Sequence, residues 1–280
     1  MLLPRDGAVT GWAALRLAGG AYFDGLLPDG STRRPVPLVV GPGQGRRPRD
    51  SVVWLQDRLA PDEVTTLRGV RVTTVARALF DELRMQSAAR SAAVAMDMAA
   101  AADLTSVRRM RRFVGTRAGW AGVSVVRRGL ELADECSRSP GESRLRLAWE
   151  LDARRPRPLT NRDVFDSAGR LLGIADLVDP VAGVVGEYDG AEHAKAERRS
   201  RDAGRDSAFR DAGLEVFRVT GYDEHSPGAV VGRVEAAYRR AARVTVPRDW
   251  TLEPPPGWPV SRSLDEELDL ADLLRDAHRA

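Results

Sequence analysis

The run Glu187-Tyr188-Asp189-Gly190 closes a short apolar stretch, Val184-Val185-Gly186, and His193 follows it. An apolar run that ends in acids at alternate positions marks a buried strand emerging at a site. Residues two apart on a strand share a face, so Glu187 and Asp189 are expected to point the same way. Carboxylates on one face repel one another, and a divalent cation is the partner that relieves them. Asp176 stands inside a second apolar run, and Glu142 opens a helical pattern. A tight turn at Asp179-Pro180 joins the runs carrying Asp176 and Glu187, which is expected to set those two acids side by side. Glu142, Asp176 and Glu187 are the expected ligands of Mg²⁺ (or Mn²⁺), because Mg²⁺ takes oxygen donors and often uses one or two carboxylates plus substrate phosphate. Such an ion activates water and stabilises charge on a scissile phosphate. Asp189 and His193 are expected to assist the water or the leaving group, and Arg205 and Lys195 to contact phosphate.

These residues need a scaffold, and the second half of the chain reads as one. Glu142 to Ala153 is predicted as a helix, and Asp163–Asp166, Leu171–Val178 and Gly183–Asp189 as three strands. A charged helix, Lys195 to Ala212, is stopped by Gly213. A strand over Leu214–Thr220 and a helix from Pro227 to Ala242 complete an order α-β-β-β-α-β-α. The first half reads as an α+β region. It has a short helix over residues 11–20, strand-like pieces at Val36–Val40, Val52–Leu55 and Val70–Thr73, then helices from Thr74, over Ala88–Ala102, after Thr105-Ser106 and over 119–135. Arg77 and Asp81, four apart on a helix, are expected to bridge. Ser137-Arg138-Ser139-Pro140-Gly141 has the composition of a linker. Three parts are therefore expected: 1–136, 137–245, and a tail, 246–280, in which a Pro-rich stretch lies extended along a surface before an acidic helix.

Composition bounds the class. The chain has 280 residues, enough for one large or two ordinary domains. A membrane span needs about 18 consecutive apolar residues, and no run approaches that. The single cysteine, Cys136, excludes an intramolecular disulfide and a cysteine-rich zinc site, and is expected to be a small buried residue. The N-terminus lacks a secretion signal, so the cytoplasm is the expected compartment. Net charge is +3, which permits nucleic-acid binding without demanding it. Seven arginines and no acids lie between Val107 and Arg128. The stretch reads either as a solvated helix face or as a phosphate-contacting patch, with Arg108, Arg109, Arg111 and Arg112 as its candidates.

The order of elements, with acids at these places, resembles the PD-(D/E)XK nuclease superfamily. Residues 139–241 resemble more narrowly its DUF559 branch, related to very-short-patch mismatch repair endonucleases. The matching residues are Glu142, Asp176, Glu187, Asp189, Gly190, His193, Asp202, Arg205, Gly213 and Arg218. The superfamily's lysine position, two after the acid, holds Asp189, as it often does in this branch, and His193 is the expected substitute. The first half resembles the core of AbiEi-type antitoxins in Trp12-Ala13-Ala14-Leu15, Gly69 to Thr74, Ala76 to Asp81 and Met96 to Ala99, without a complete winged helix before it. The resemblance implies a restriction-endonuclease-like core, a mixed sheet flanked by helices, acting as a metal-dependent DNA endonuclease in defence, repair or mobile-element biology. The alternative is an inactive, antitoxin-like regulator that binds DNA or a protein partner. The acidic tail is expected to dock on the basic body or to bind such a partner.

Overall fold

The structure, a computed structural model, describes all residues except 1, 2, 4, 5, 28, 45, 46, 48, 191–195, 222, 224, 225, 260, 261 and 278–280; the side chains of 196–203, 227 and 276 are also not described. It is a mixed α/β chain in two compact units, one comprising 1–135 and 262–280, the other 136–261.

The first unit opens with β1 (Ala8–Val9), α1 (Gly11–Leu17), β2 (Val36–Val40), β3 (Val52–Gln56), β4 (Val64–Leu67) and β5 (Val70–Thr73). The strands form one mixed sheet in the order β3-β2-β1-β5-β4. Four helices follow: α2 (Val75–Arg84), α3 (Ala89–Ala101), α4 (Val107–Gly115) and α5 (Val123–Leu132). Their apolar stripes meet in a core built on Leu79, Phe80, Leu83, Met96, Met110 and Leu130. The small residues of α3 permit a close crossing: a side chain at Gly129 of α5 would come within 2.7 Å of the Ala92 Cβ. Arg77 and Asp81 do bridge, at 3.1 Å, and both are fully buried.

The second unit contains α6 (Pro140–Leu147), continued by a π-helical turn over Ala148–Asp152, then β6 (Leu159–Phe165), β7 (Leu171–Asp179), β8 (Val184–Asp189), α7 (Ala196–Asp211), β9 (Glu215–Thr220) and α8 (Pro227–Ala241). The sheet order is β6-β7-β8-β9. β6, β7 and β8 run antiparallel in turn, and β9 lies parallel to β8. Val184 and Val185 are neighbours on β8 yet belong to different clusters, so the sheet is covered on both faces. Val184 packs with Trp149, Phe217 and Val234 of α8, and Val185 with Val178, Val216 and Phe209 of α7.

The expected separate tail is divided between the units. Thr251 exchanges backbone hydrogen bonds with Phe165, and Trp258 packs edge-on against the Phe165 ring while its indole donates to Asp163 at 3.0 Å. The Pro-rich stretch therefore lies on the second unit. The chain then returns to the first unit as α9 (Leu264–Ala277), with Leu264 against that unit's core and Leu268 buried. The split follows from what each segment needs: the indole finds a carboxylate on β6, and the leucines find an apolar floor. Cys136, expected to be buried, is exposed. Among the described residues no helix is long and apolar enough to cross a membrane.

Candidate active site

The site is organised by β7 and β8. Their ladder pairs Val178 with Val185 and Leu177 with Gly186; one step further along both strands stand Asp176 and Glu187. At that step Asp176 takes over the hydrogen bonding, since its carboxylate accepts the Tyr188 N–H at 2.8 Å. Glu187 is buried, at 2 % exposure. Its Oε2 accepts from the Arg205 guanidinium of α7. Its Oε1 is buried and has no hydrogen-bond partner among the described residues.

Glycines let the neighbouring elements close on this point. A side chain at Gly141, at the start of α6, would lie 2.0 Å from the Tyr188 ring, so only glycine lets α6 meet β8 here. A side chain at Gly173 on β7 would lie 2.7 Å from the stem of Arg205. Gly173 thus clears the path along which Arg205 reaches Glu187. Ser139 caps α6, its hydroxyl accepting the Glu142 N–H at 3.2 Å. The Glu142 carboxylate turns back to accept from the Arg138 N–H at 2.9 Å and from Asn161 Nδ2 at 2.8 Å.

The electrostatics are those of crowded, desolvated acids. Burial pushes Glu187 up to about 8, with the adjacent Asp176 charge adding to the rise and Arg205 opposing it. Burial likewise pushes Asp176 up to about 6; the Tyr188 N–H opposes this, and the Glu142 charge adds to it. Arg218, beside Glu187 in the parallel ladder, is taken by Asp206 in a two-pronged pair at 2.8 and 3.1 Å.

The expected site residues are distributed as follows. Asp176 and Glu187 come together. Glu142 is close enough to act on Asp176 electrostatically, but its carboxylate is committed to Arg138 and Asn161. Asp189 ends β8, exposed. Arg205, expected on phosphate, holds Glu187. His193, Lys195 and the Asp202 side chain lie outside what is described. Arg108, Arg109, Arg111 and Arg112 belong to α4 of the first unit. Among the described residues no group of three His, Cys, Asp or Glu side chains is placed to hold a metal ion. The donor chemistry of the pair nonetheless fits a hard divalent cation: two adjacent carboxylates, one with a bare buried oxygen.

Two contributors escaped the sequence reading. Asp206 had a signal, since it lies three residues before the buried Phe209 and so shares the inward face of α7. Asn161 had none beyond its residue type; it adopts φ +49°, where asparagine is enriched, and from there reaches both Glu142 and the Cys136 carbonyl. No family model, curated protein or solved structure matches the chain.

Proposed function

We propose that the second unit is a metal-dependent nuclease domain hydrolysing DNA phosphodiester bonds, built on a restriction-endonuclease-like core. The observation that carries this reading is the buried Oε1 of Glu187, beside Asp176 and without a partner among the described residues. An unsatisfied buried carboxylate oxygen is costly, and a cation held between the two acids would remove that cost. The α-β-β-β-α-β-α order and the PD-(D/E)XK-like positions of Glu142, Asp176 and Glu187 support the choice of reaction.

Asp176 and Glu187 would hold Mg²⁺ or Mn²⁺, with Glu142 as the third carboxylate. When bound, the ion supplies an acidified water and charge stabilisation at the scissile phosphate. The chain's own residues set the remaining conditions. Asp176 and Glu187 bind the cation only as anions, so occupancy requires loss of the proton that burial favours. Arg205, which pairs with Glu187, would share its charge with a phosphate oxygen once a cation neutralises that acid. Asp189, exposed at the strand end, is the acceptor for the water's proton.

The test is a cleavage panel of single-stranded, duplex and mismatched DNA with Mg²⁺ and Mn²⁺, using the parent chain and Glu187→Ala. Metal-dependent cleavage by the parent and none by a folded Glu187→Ala protein is the expected result. Absence of both cleavage and Mn²⁺ binding by the parent would sink the reading. One observation favours the second reading, a non-catalytic DNA- or partner-binding regulator: Arg205 already gives Glu187 a counter-charge. That reading predicts no heat of Mn²⁺ binding and no cleavage of any DNA form.

A further inference from the structure

Helix α4 carries Arg108, Arg109, Arg111 and Arg112 within nine residues and has no acid. Its inward face is Met110 and Val114, both buried. Arg108 and Arg109 are paired with acids of α9. Arg108 pairs with Asp265 at 2.7 Å and Asp269 at 3.0 Å, and Arg109 with Asp269 at 2.6 Å and Asp272 at 2.9 Å. The Ser106 hydroxyl, which caps α4, also donates to Asp265. Asp265, Asp269 and Asp272 recur at helical spacing on α9, so their carboxylates form a row with one anion per turn of about 5.4 Å. A row of oxygen anions against an arginine face is the chemistry of a phosphate backbone.

The attachment of α9 is unlike that of a core helix. Leu264 and Leu268 face inward, while Leu270, Leu273 and Leu274 are 39 %, 68 % and 54 % exposed. Two apolar contacts and a row of ion pairs therefore hold it, and Arg108, Asp269 and Asp272 are each about half exposed. Ion pairs so placed are weak and screened by salt. A helix held this way yields to a competing polyanion.

We propose that the arginine face of α4 is a docking surface for a nucleic-acid phosphate backbone, and that α9 occupies it as a reversible intramolecular competitor. The proposal rests on the nucleic-acid part of the reading above and not on cleavage, so its test is run with EDTA present. Binding of a short fluorescent DNA duplex is followed by anisotropy at low salt for the full chain and for Asp265→Asn/Asp269→Asn/Asp272→Asn. The triple variant is expected to bind about tenfold more tightly, in proportion to the phosphate contacts released. Adding Arg108→Gln and Arg109→Gln is expected to cancel that gain. Hydrogen exchange on the unaltered chain supplies a second readout: saturating duplex is expected to deprotect the α9 amides. The proposal is overturned if the triple variant binds no more tightly, if the gain survives loss of both arginines, or if α9 protection is unchanged by duplex. Should the triple variant fail to fold, the exchange measurement on the unaltered chain decides alone.

Discussion

Each unit buries a cluster of charge, and the two clusters are built to different rules. In the first unit, Arg77, Arg84 and Arg117 face Asp57, Glu63 and Asp81, three cations against three anions. Both oxygens of Asp81 are used, one by Arg84 and the other by Arg77 and the Thr10 hydroxyl. Burial raises Asp81 in spite of its arginines. At Glu63 burial is outweighed by Arg117, the Ala60 N–H and Arg77, which bring it below its ordinary value. In the second unit, among the described residues, Arg205 and Arg218 are the leading cations acting on Asp176 and Glu187, with Glu142 and Asp206 as further anions. The first cluster is balanced in charge, although Arg77 Nη2 and Arg117 Nε are buried without a hydrogen-bond partner among the described residues, and a charge-balanced cluster reads as structural. Among the described residues the second cluster has more anions than cations around a buried carboxylate oxygen without a partner, an imbalance of the kind that functional sites carry.

Substitutions can break this contrast. The largest expected effect is Arg77→Ala. Removing the central guanidinium leaves Asp81 with Arg84 and Glu63 with Arg117 as their remaining cations and should cost the first unit about 3–5 kcal/mol, read by segment-resolved hydrogen exchange under denaturant. A loss no larger than for an exposed arginine would end the claim that the first cluster is structural. Gly141→Ala comes next. The added methyl meets the Tyr188 ring at 2.0 Å, and overpacking of this kind should cost the second unit about 1–3 kcal/mol.

The third prediction concerns pH. Asp176 and Glu187 are raised to about 6 and about 8, from ordinary values of 3.8 and 4.5. The folded second unit therefore holds protons that its unfolded chain has released. Without divalent cations, its stability is fullest below the ordinary values and declines as pH rises through about 6 and then about 8. Thermal melts from pH 5 to 9 should show the decline, and Mn²⁺ should offset it more at pH 8 than at pH 6. A second unit that grows more stable over that range would contradict the desolvated-acid account. The smallest effect is expected from Glu187→Gln. At pH 9 it should change stability by no more than about 1 kcal/mol, because relief of a buried, crowded anion offsets the loss of its pairing with Arg205, and it should flatten the pH profile.

The second unit was legible where local pattern and tertiary need agree. Its β-strands are apolar runs bounded by turns, and its α-β-β-β-α-β-α order could be read without coordinates. The adjacency of Asp176 and Glu187 followed from a single tight turn. In the first unit β1 and β4 went unread, because two residues, Ala8-Val9, or a Val64–Leu67 strand with exposed threonines at its centre carry no periodicity to detect. The start of β6 was missed for a related reason, since Asn161 breaks the strand pattern at a positive φ. The commitments of the charged groups were the least legible part. Spacing can show that Arg205 and Glu142 approach the acids; it does not show that Arg205 will hold Glu187 or that Asn161 will hold Glu142. Those outcomes depend on side-chain paths set by Gly173 and by the turn of the strand.

The partition of the tail has a consequence for the order in which the protein is made. Ser106, at the head of α4, and its partner Asp265 on α9 are 159 positions apart, and the entire second unit is synthesised between them. At about 5–20 residues per second, the arginine face of α4 stands without its cover for roughly 10–30 s of every synthesis. A ribosome-stalled chain ending at residue 261 should expose Arg108 and Arg109 to faster modification by an arginine-selective reagent than the finished fold, where they are 52 % and 23 % exposed. The first unit is thus begun early and can be closed only after the second unit has been synthesised.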